Sequence, residues 1–165
     1  MSFENIQLPA FLIQDLYKDL LIDEEKFHSS SHPLKKEEIS FLGKNEKNIL
    51  ILVNEKDVPF LQDPDLNFLI GILGACKLSM ADVALVNCNQ GIPVNSTKLS
   101  AKFNPSKNIL FGVAPSALEL PLHFPHNQIQ HYNNQVYLSS PSLKEIAADK
   151  ELKQKLWDSL RKIFF

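Results

Sequence analysis

Arginine is almost missing from this chain. Arg161 is the only one among 17 basic residues, and the other sixteen are Lys, so bidentate clamping of phosphate by guanidinium groups is nearly unavailable. Nor is there an excess of positive charge. The formal net charge is -2, which leaves no broad field to capture nucleic acid by counterion release and room only for a local patch. Glycine is scarce as well: with five in the chain, neither a dinucleotide-binding fingerprint nor a P-loop occurs. The only cysteines, Cys76 and Cys88, do not form a CxxC pair. They read as reduced thiols, buried or nearly so, and not as a disulfide framework. His28, His32, His123, His126 and His131 lack the spacing of a zinc site, so no metal and no cofactor is expected. No apolar run approaches the length of a membrane span. The N-terminal stretch MSFENIQLPAFLIQDLYKDL lacks the basic region and apolar core of a signal peptide, and the expected location is cytoplasmic.

The chain does have enough apolar residues for one real core, 44% of 165. From Pro9 to Ile22 the residues Phe11, Leu12, Ile13, Leu16, Tyr17, Leu20 and Leu21 recur at helical spacing. The polar segment Asp23–Lys36 follows as a loop or connector. Residues 1–36 are therefore expected to form a helical arm plus connector on a single domain spanning 1–165. The run Asn48-Ile49-Leu50-Ile51-Leu52-Val53 fits a strand buried on both faces, as in a parallel sheet. Val83–Val86 and Asn108–Val113 read as two more. Asp63-Pro64 predicts a helix start with Asp63 as N-cap, Ser79–Asp82 resembles a short capping box, and Asn95–Phe103 fits a second helix. Pro115–Leu118 could make one helical turn. Short β segments lie on either side of Asn133-Asn134, which either turns the chain tightly or kinks one edge strand. A last helix is expected from about Ser142 to Phe164. Strands alternating with helices imply a three-layer α/β/α domain with a central, mostly parallel four-stranded sheet.

Ligands of such sheets bind outside the carboxyl ends of the strands. That directs attention to Asn54–Asp57, Asn87–Gln90, Gly112–Ser116 and Ser139–Ser142. Among Asn54, Glu55 and Asp57, an acid could orient a water as general base, although acids after a strand are common on surfaces. The hydroxyls of Ser139, Ser140 and Ser142 could hold an anion with helix N-terminal amides. The competing reading makes Ser140-Pro141 an N-cap followed by Pro at the first helical position, with a Ser142–Glu145 capping box. Phe11, Leu12, Leu16 and Tyr17 are either a partner-binding stripe or a face that covers the protein's own sheet.

The order KNILFGV, a Pro/His stretch, QVYLSSPSL and a long helix resembles the C-terminal half of the uracil-DNA glycosylases. In that family a strand ends in a His-Pro-Ser-Pro-Leu motif that opens a helix. Here Leu138–Leu143 keeps the Ser-Pro-Ser-Leu skeleton, and Tyr137 and Leu138 stand in the region of the catalytic His. Asn54-Glu55-Lys56-Asp57 takes the place of the water-activating Gly-Gln-Asp-Pro-Tyr-like loop with a different pattern. The stretches ILILVNEKDVPFLQDPDLNFLIGIL, MADVALVN and VYLSSPSLKEIAADKELKQKLWDSL, in this order, are similar to the psi family of accessory subunits in the bacterial DNA polymerase III clamp loader. The similarity runs over roughly Lys47–Ile163. It implies a uracil-DNA glycosylase-like fold without glycosylase activity. It further implies an N-terminal segment, Met1–Tyr17 here, that docks on a clamp-loader ATPase subunit. The folded body would hold a chi-like subunit that contacts single-stranded-DNA-binding protein.

Two functions follow as expectations. One is a non-enzymatic adaptor of the replication machinery, with direct DNA binding weak or absent. The other is a glycosylase-like enzyme on damaged bases or nucleotides. It would use Asn54, Glu55 or Asp57 for water, Ser139 and Ser140 for phosphate, and Phe60, Phe103 or Phe111 for stacking.

Overall fold

The computed structural model describes residues 38–165. They form an α/β domain built on one mixed sheet of six strands. These are β1 (Leu42–Gly43), β2 (Ile49–Val53), β3 (Val83–Asn87), β4 (Lys107–Phe111), β5 (Ile129–Tyr132) and β6 (Gln135–Ser140), in the order β1-β3-β2-β4-β6-β5. β3, β2, β4 and β6 run parallel to one another. β1 and β5 are antiparallel strands at the two edges. The expected four strands thus become six.

The central strands are apolar on both faces because each face has its own core. Ile49, Ile51 and Val53 of β2 point into one cluster, together with Val83, Leu85, Ile109 and Phe111. Leu50 and Leu52 point into the other, with Ala84, Val86 and Leu110. This is the two-residue alternation of a strand applied to a sheet covered twice. The first cluster is closed by helices α1 (Asp63–Ala75), α3 (Leu143–Ala148) and α4 (Lys150–Phe164), through Leu69, Leu73, Leu143, Ile146, Leu156 and Leu160. The second is closed by α2 (Ser96–Phe103) and a 3-10 turn at Pro115–Leu118, through Leu99, Phe103 and Leu118.

Local chemistry sets the boundaries. α2 begins at Asn95, whose side chain accepts from the Lys98 amide at 2.9 Å. The N-cap position of α1 is Gln62, whose side chain makes no capping bond, and Asp63 lies inside the first turn with Pro64. Ser79 and Asp82 make only half of the expected box: the Ser79 amide donates to Asp82 Oδ2 at 2.7 Å, but the Asp82 amide donates to the Ser79 backbone carbonyl and not to its hydroxyl, and the contact closes a turn into β3 and starts no helix. β4 stops at Phe111 because Gly112 takes a left-handed φ of 65°. Asn133 and Asn134, at φ 50° and 59°, form the two-residue turn of a hairpin between β5 and β6. The expected single C-terminal helix is two. Asp149 leaves helical geometry at φ -122° and accepts from the amides of Glu151 and Leu152, capping α4. Among the described residues, no helix is long and apolar enough to cross a membrane.

Candidate functional site

The order of the parallel strands reverses between β2 and β4, which places the switch point where those two strands end. Four segments meet at this edge: Asn54–Val58 after β2, Cys88–Asn95 after β3, Gly112–Ala114 after β4, and Pro141-Ser142 after β6.

Asn87, the last residue of β3 and buried, organises the first of them. Its Oδ1 accepts from the amides of Glu55 and Asn89, each at 3.1 Å. Its Nδ2 donates to the carbonyls of Glu55 at 2.8 Å and Val58 at 2.9 Å. A side-chain amide has two donor hydrogens and an acceptor oxygen with two lone pairs, so Asn87 is saturated. Gln90 adds a bond from Nε2 to the Pro59 carbonyl. The sequence placed Asn87 in an edge segment without nominating its side chain. A polar residue closing a fully apolar strand was the available signal.

Glu55 is engaged as well. Its Oε2 accepts from Lys144 Nζ at 2.9 Å, and the same ammonium lies 3.9 Å from Oδ2 of Asp65 in the first turn of α1. The hydrogen bond to Glu55 holds Lys144 above its ordinary value of 10.5. Lys144 thereby ties the starts of α1 and α3 to the end of β2. Asp57 is exposed, with a left-handed φ of 62°.

The three serines divide by depth. Ser139 and Ser140 are 1% and 0% exposed. The Ser139 hydroxyl lies 3.2 Å from Nδ1 of His126, and the Ser140 hydroxyl donates to Asn127 Oδ1 at 3.3 Å. Asn127 also donates its amide to the Ser139 carbonyl at 2.7 Å and accepts from the Ser159 hydroxyl at 2.9 Å. These hydroxyls hold the 126–127 turn and α4 against β6. Ser142, and not Ser140, is the N-cap of α3, and Pro141 precedes it instead of opening the helix. The capping box with Glu145 is complete: Ser142 Oγ and N lie 2.7 and 2.9 Å from Glu145 Oε2. The hydroxyl bond first, then the amide bond, hold the Glu145 carboxyl below its ordinary 4.5.

Between these segments and the 3-10 turn lies a cavity of about 470 Å³, lined by Asn54, Cys88, Asn95, Gly112, Leu118 and Glu119 among others. Asn95 Nδ2 donates to Glu119 Oε2 across it at 3.1 Å. Burial pushes the Cys88 thiol up to about 11, so no thiolate forms there at neutral pH. The described residues that line the cavity include no aromatic. Phe111 is core on one face of the sheet. Phe103 is core on the other, edge-on to Phe41 at 5.1 Å, and Phe60 packs on the first cluster. Of the candidate side chains Asn54, Glu55, Asp57, Ser139, Ser140 and Ser142, the fold brings only Asn54 to the cavity wall. The apolar candidates Phe11, Leu12, Leu16 and Tyr17 lie outside the described residues. Among the described residues, no group of three or more His, Cys, Asp or Glu side chains is placed to hold a metal ion. No protein-family model matches the chain, and no curated protein matches it.

Proposed function

We propose that the chain is a non-enzymatic accessory subunit of the bacterial replication machinery, similar to the psi family. It would join a clamp-loader ATPase subunit to a chi-like or single-stranded-DNA-binding-protein adaptor. The observation that carries this reading is the ion pair of Glu55 with Lys144 at 2.9 Å. The acid that the sequence sets directly after the first buried strand serves as a brace between helices. Ser139 and Ser140, at the end of β6, are buried and hydrogen bonded to His126 and Asn127. Such an edge suits a scaffold better than a water-activating site. The uracil-DNA glycosylase-like assignment belongs to the same proposal. It is supported by the Gly112 turn lying against the Ser-Pro-Ser-Leu junction, with Gly112 N donating to Ser140 O at 3.0 Å. In this reading Phe11, Leu12, Leu16 and Tyr17 dock on the clamp loader, the protein is cytoplasmic and uses no cofactor, and with a net charge of -2 it binds DNA weakly or not at all.

Capture of the tagged full chain from its native lysate tests this. Clamp-loader ATPase subunits or an adaptor of single-stranded-DNA-binding protein should co-purify in near-stoichiometric amounts. The double change Leu12→Asp/Leu16→Asp should abolish ATPase-subunit capture and leave the melting transition unchanged. A wild-type preparation free of replication proteins refutes the reading.

The cavity at the switch point favours a second reading, a glycosylase-like enzyme acting on a damaged base. Asn54, Glu55 or Asp57 would orient water, and of these Asn54 lines the cavity. Excision from a panel of uracil and deaminated-base substrates, lost in Asp57→Asn, is its expected result; no excision on any of them refutes it.

A further inference from the structure

α1 has the sequence DPDLNFLIGILGA, apolar on almost every side. A helix of that composition is ordinarily covered all round. Here Leu69 and Leu73 face the core, while Phe68 and Ile72 are half-buried and Ile70 is 45% exposed. Between α1 and α4 runs a groove of about 390 Å³. Its walls are Phe68 and Ile72 on one side and Leu156, Trp157 and Leu160 on the other. Gly71 lies in the α1 wall, and a Cβ built there meets nothing within 4 Å. At 1.5 Å per residue, the stretch from Asn67 to Ala75 that borders it is about 12 Å long, roughly two helical turns. The opening therefore has the length and polarity of a site for one face of a helix.

Its charge is one-sided. Lys153 stands in the α4 wall, with Nζ 5.7 Å from the centre of the Phe68 ring. Helical spacing puts Lys150 and Arg161 on the same flank, next to Trp157, and carries Glu151 and Asp158 farther round. Among the described residues, none of Lys150, Lys153 and Arg161 has a carboxylate at ion-pair distance. The facing α1 wall, from Asn67 to Ala75, is uncharged. Trp157, the single tryptophan of the chain, lines the groove, and tryptophan is among the residue types that most often anchor interfaces; Arg161 follows it about one turn along α4, outside the groove wall.

We propose that this groove is the docking site for an amphipathic helix of a partner protein, with an apolar ridge flanked by Asp and Glu on the side that lies over α4. It gives the adaptor proposed above the surface with which the folded body holds its partner, and it rests on that reading.

Trp157, as the only tryptophan, reports on the groove in the full chain. The probe is a synthetic helical peptide with Leu and Phe at i, i+4 and i+7 and Glu along one flank; a second peptide has the same ridge and Lys in place of Glu. The Glu peptide should shift Trp157 emission to the blue, protect it from acrylamide, and bind at least about tenfold more tightly than the Lys peptide, a difference of about 1.4 kcal/mol. Lys150→Glu/Arg161→Glu should reverse the order of the two peptides. Gly71→Leu should fill the groove and weaken the Glu peptide at least about tenfold. Its unfolding midpoint should be unchanged or higher, because Leu favours a helix over Gly. The proposal is overturned if the peptides bind alike, if neither moves Trp157, or if Gly71→Leu binds as wild type does. It is also overturned if the free chain sediments as a dimer that Gly71→Leu dissociates, since the groove would then belong to a second copy. Lysate capture separates the two levels. If wild type and Gly71→Leu both retain replication subunits, the groove assignment falls and the adaptor reading stands. If wild type retains none while the Glu peptide binds, the adaptor reading falls and the groove remains a helix site.

Discussion

Gly112 and Ser142 lie in direct contact, so that a Cβ built on Gly112 would stand 3.1 Å from the Cβ and 3.3 Å from the Cα of Ser142. Two strand ends, those of β4 and β6, can approach this closely only because one of the facing residues has no side chain and tolerates a φ of 65°. Gly112→Ala should therefore lower stability by about 1–3 kcal/mol in urea unfolding. In a Ser142→Gly background part of that loss should be recovered, because the opposing Cβ is gone and Gly replaces an N-cap serine at a cost of only a few tenths of a kcal/mol. Equal losses in both backgrounds would show that the contact carries no energy.

Asn87 is a structural post by geometry, with four hydrogen bonds from one buried amide. Asn87→Leu leaves two carbonyls and two amides of the edge loops without that partner. A loss of about 2–4 kcal/mol is expected, on the scale of a few buried hydrogen bonds. Limited proteolysis should then cut first within residues 54–58. A variant as stable and as resistant as wild type would remove Asn87 from this role.

The cysteines should be slow to react. Burial raises both thiols above their ordinary 9.0, Cys88 to about 11. Iodoacetamide at pH 8 should label the native chain far more slowly than the chain in urea. The linked effect on stability has a definite sign. The folded state holds the Cys88 proton more tightly than the unfolded state, so this contribution is complete below pH 9 and is lost as pH rises through about 11. Cys88→Ala should flatten that alkaline decline.

At the acid end, two carboxyls act in the opposite sense. The Ser142 hydroxyl and amide lower Glu145 below 4.5. The Ser79 amide, ahead of the Ser79 hydroxyl and Lys47, lowers Asp82 below 3.8. Each contribution is present above its ordinary value and is lost as pH falls through the lowered one. Urea midpoints measured from pH 6 down to pH 2 should fall in this window, less steeply in Glu145→Gln and in Asp82→Asn. Parallel curves for wild type and variants would contradict the assignment.

How far the sequence discloses the molecule depends on the reach of each signal. ILILV and VALVN declare themselves because both faces of those strands are buried. Asn133-Asn134 marks a turn, but only the left-handed φ of both residues decides for a hairpin. Leu42-Gly43 is too short to show any period, so β1 is invisible. The break at Asp149 is hidden because the apolar spacing of Ile146, Leu152, Leu156 and Leu160 continues through it without Gly or Pro. At the candidate site, the Ser142–Glu145 box is legible at a distance of three residues. The Glu55–Lys144 pair is not, since 89 residues separate the partners. Asn87 stands out only as the polar residue that closes an apolar strand; its bonds are not legible for the same reason, since its partners on the Glu55–Val58 loop lie 29 and 32 residues away.

The small strand β1 has a larger consequence than its two residues suggest. Gly43, at φ 108°, lies so close over the start of β3 that an added Cβ would fall 2.6 Å from the Met80 carbonyl oxygen and nearer still to that of Val83. It caps the hydrogen-bonding flank of an uninterrupted apolar segment, while the four-residue β5 shields β6 on the far side. Sequences such as VALVN, left bare, are templates on which further copies add strand by strand into fibrils. With β1 on one flank and β5 on the other, the long parallel strands β3 and β6 are not the outermost strands of the sheet.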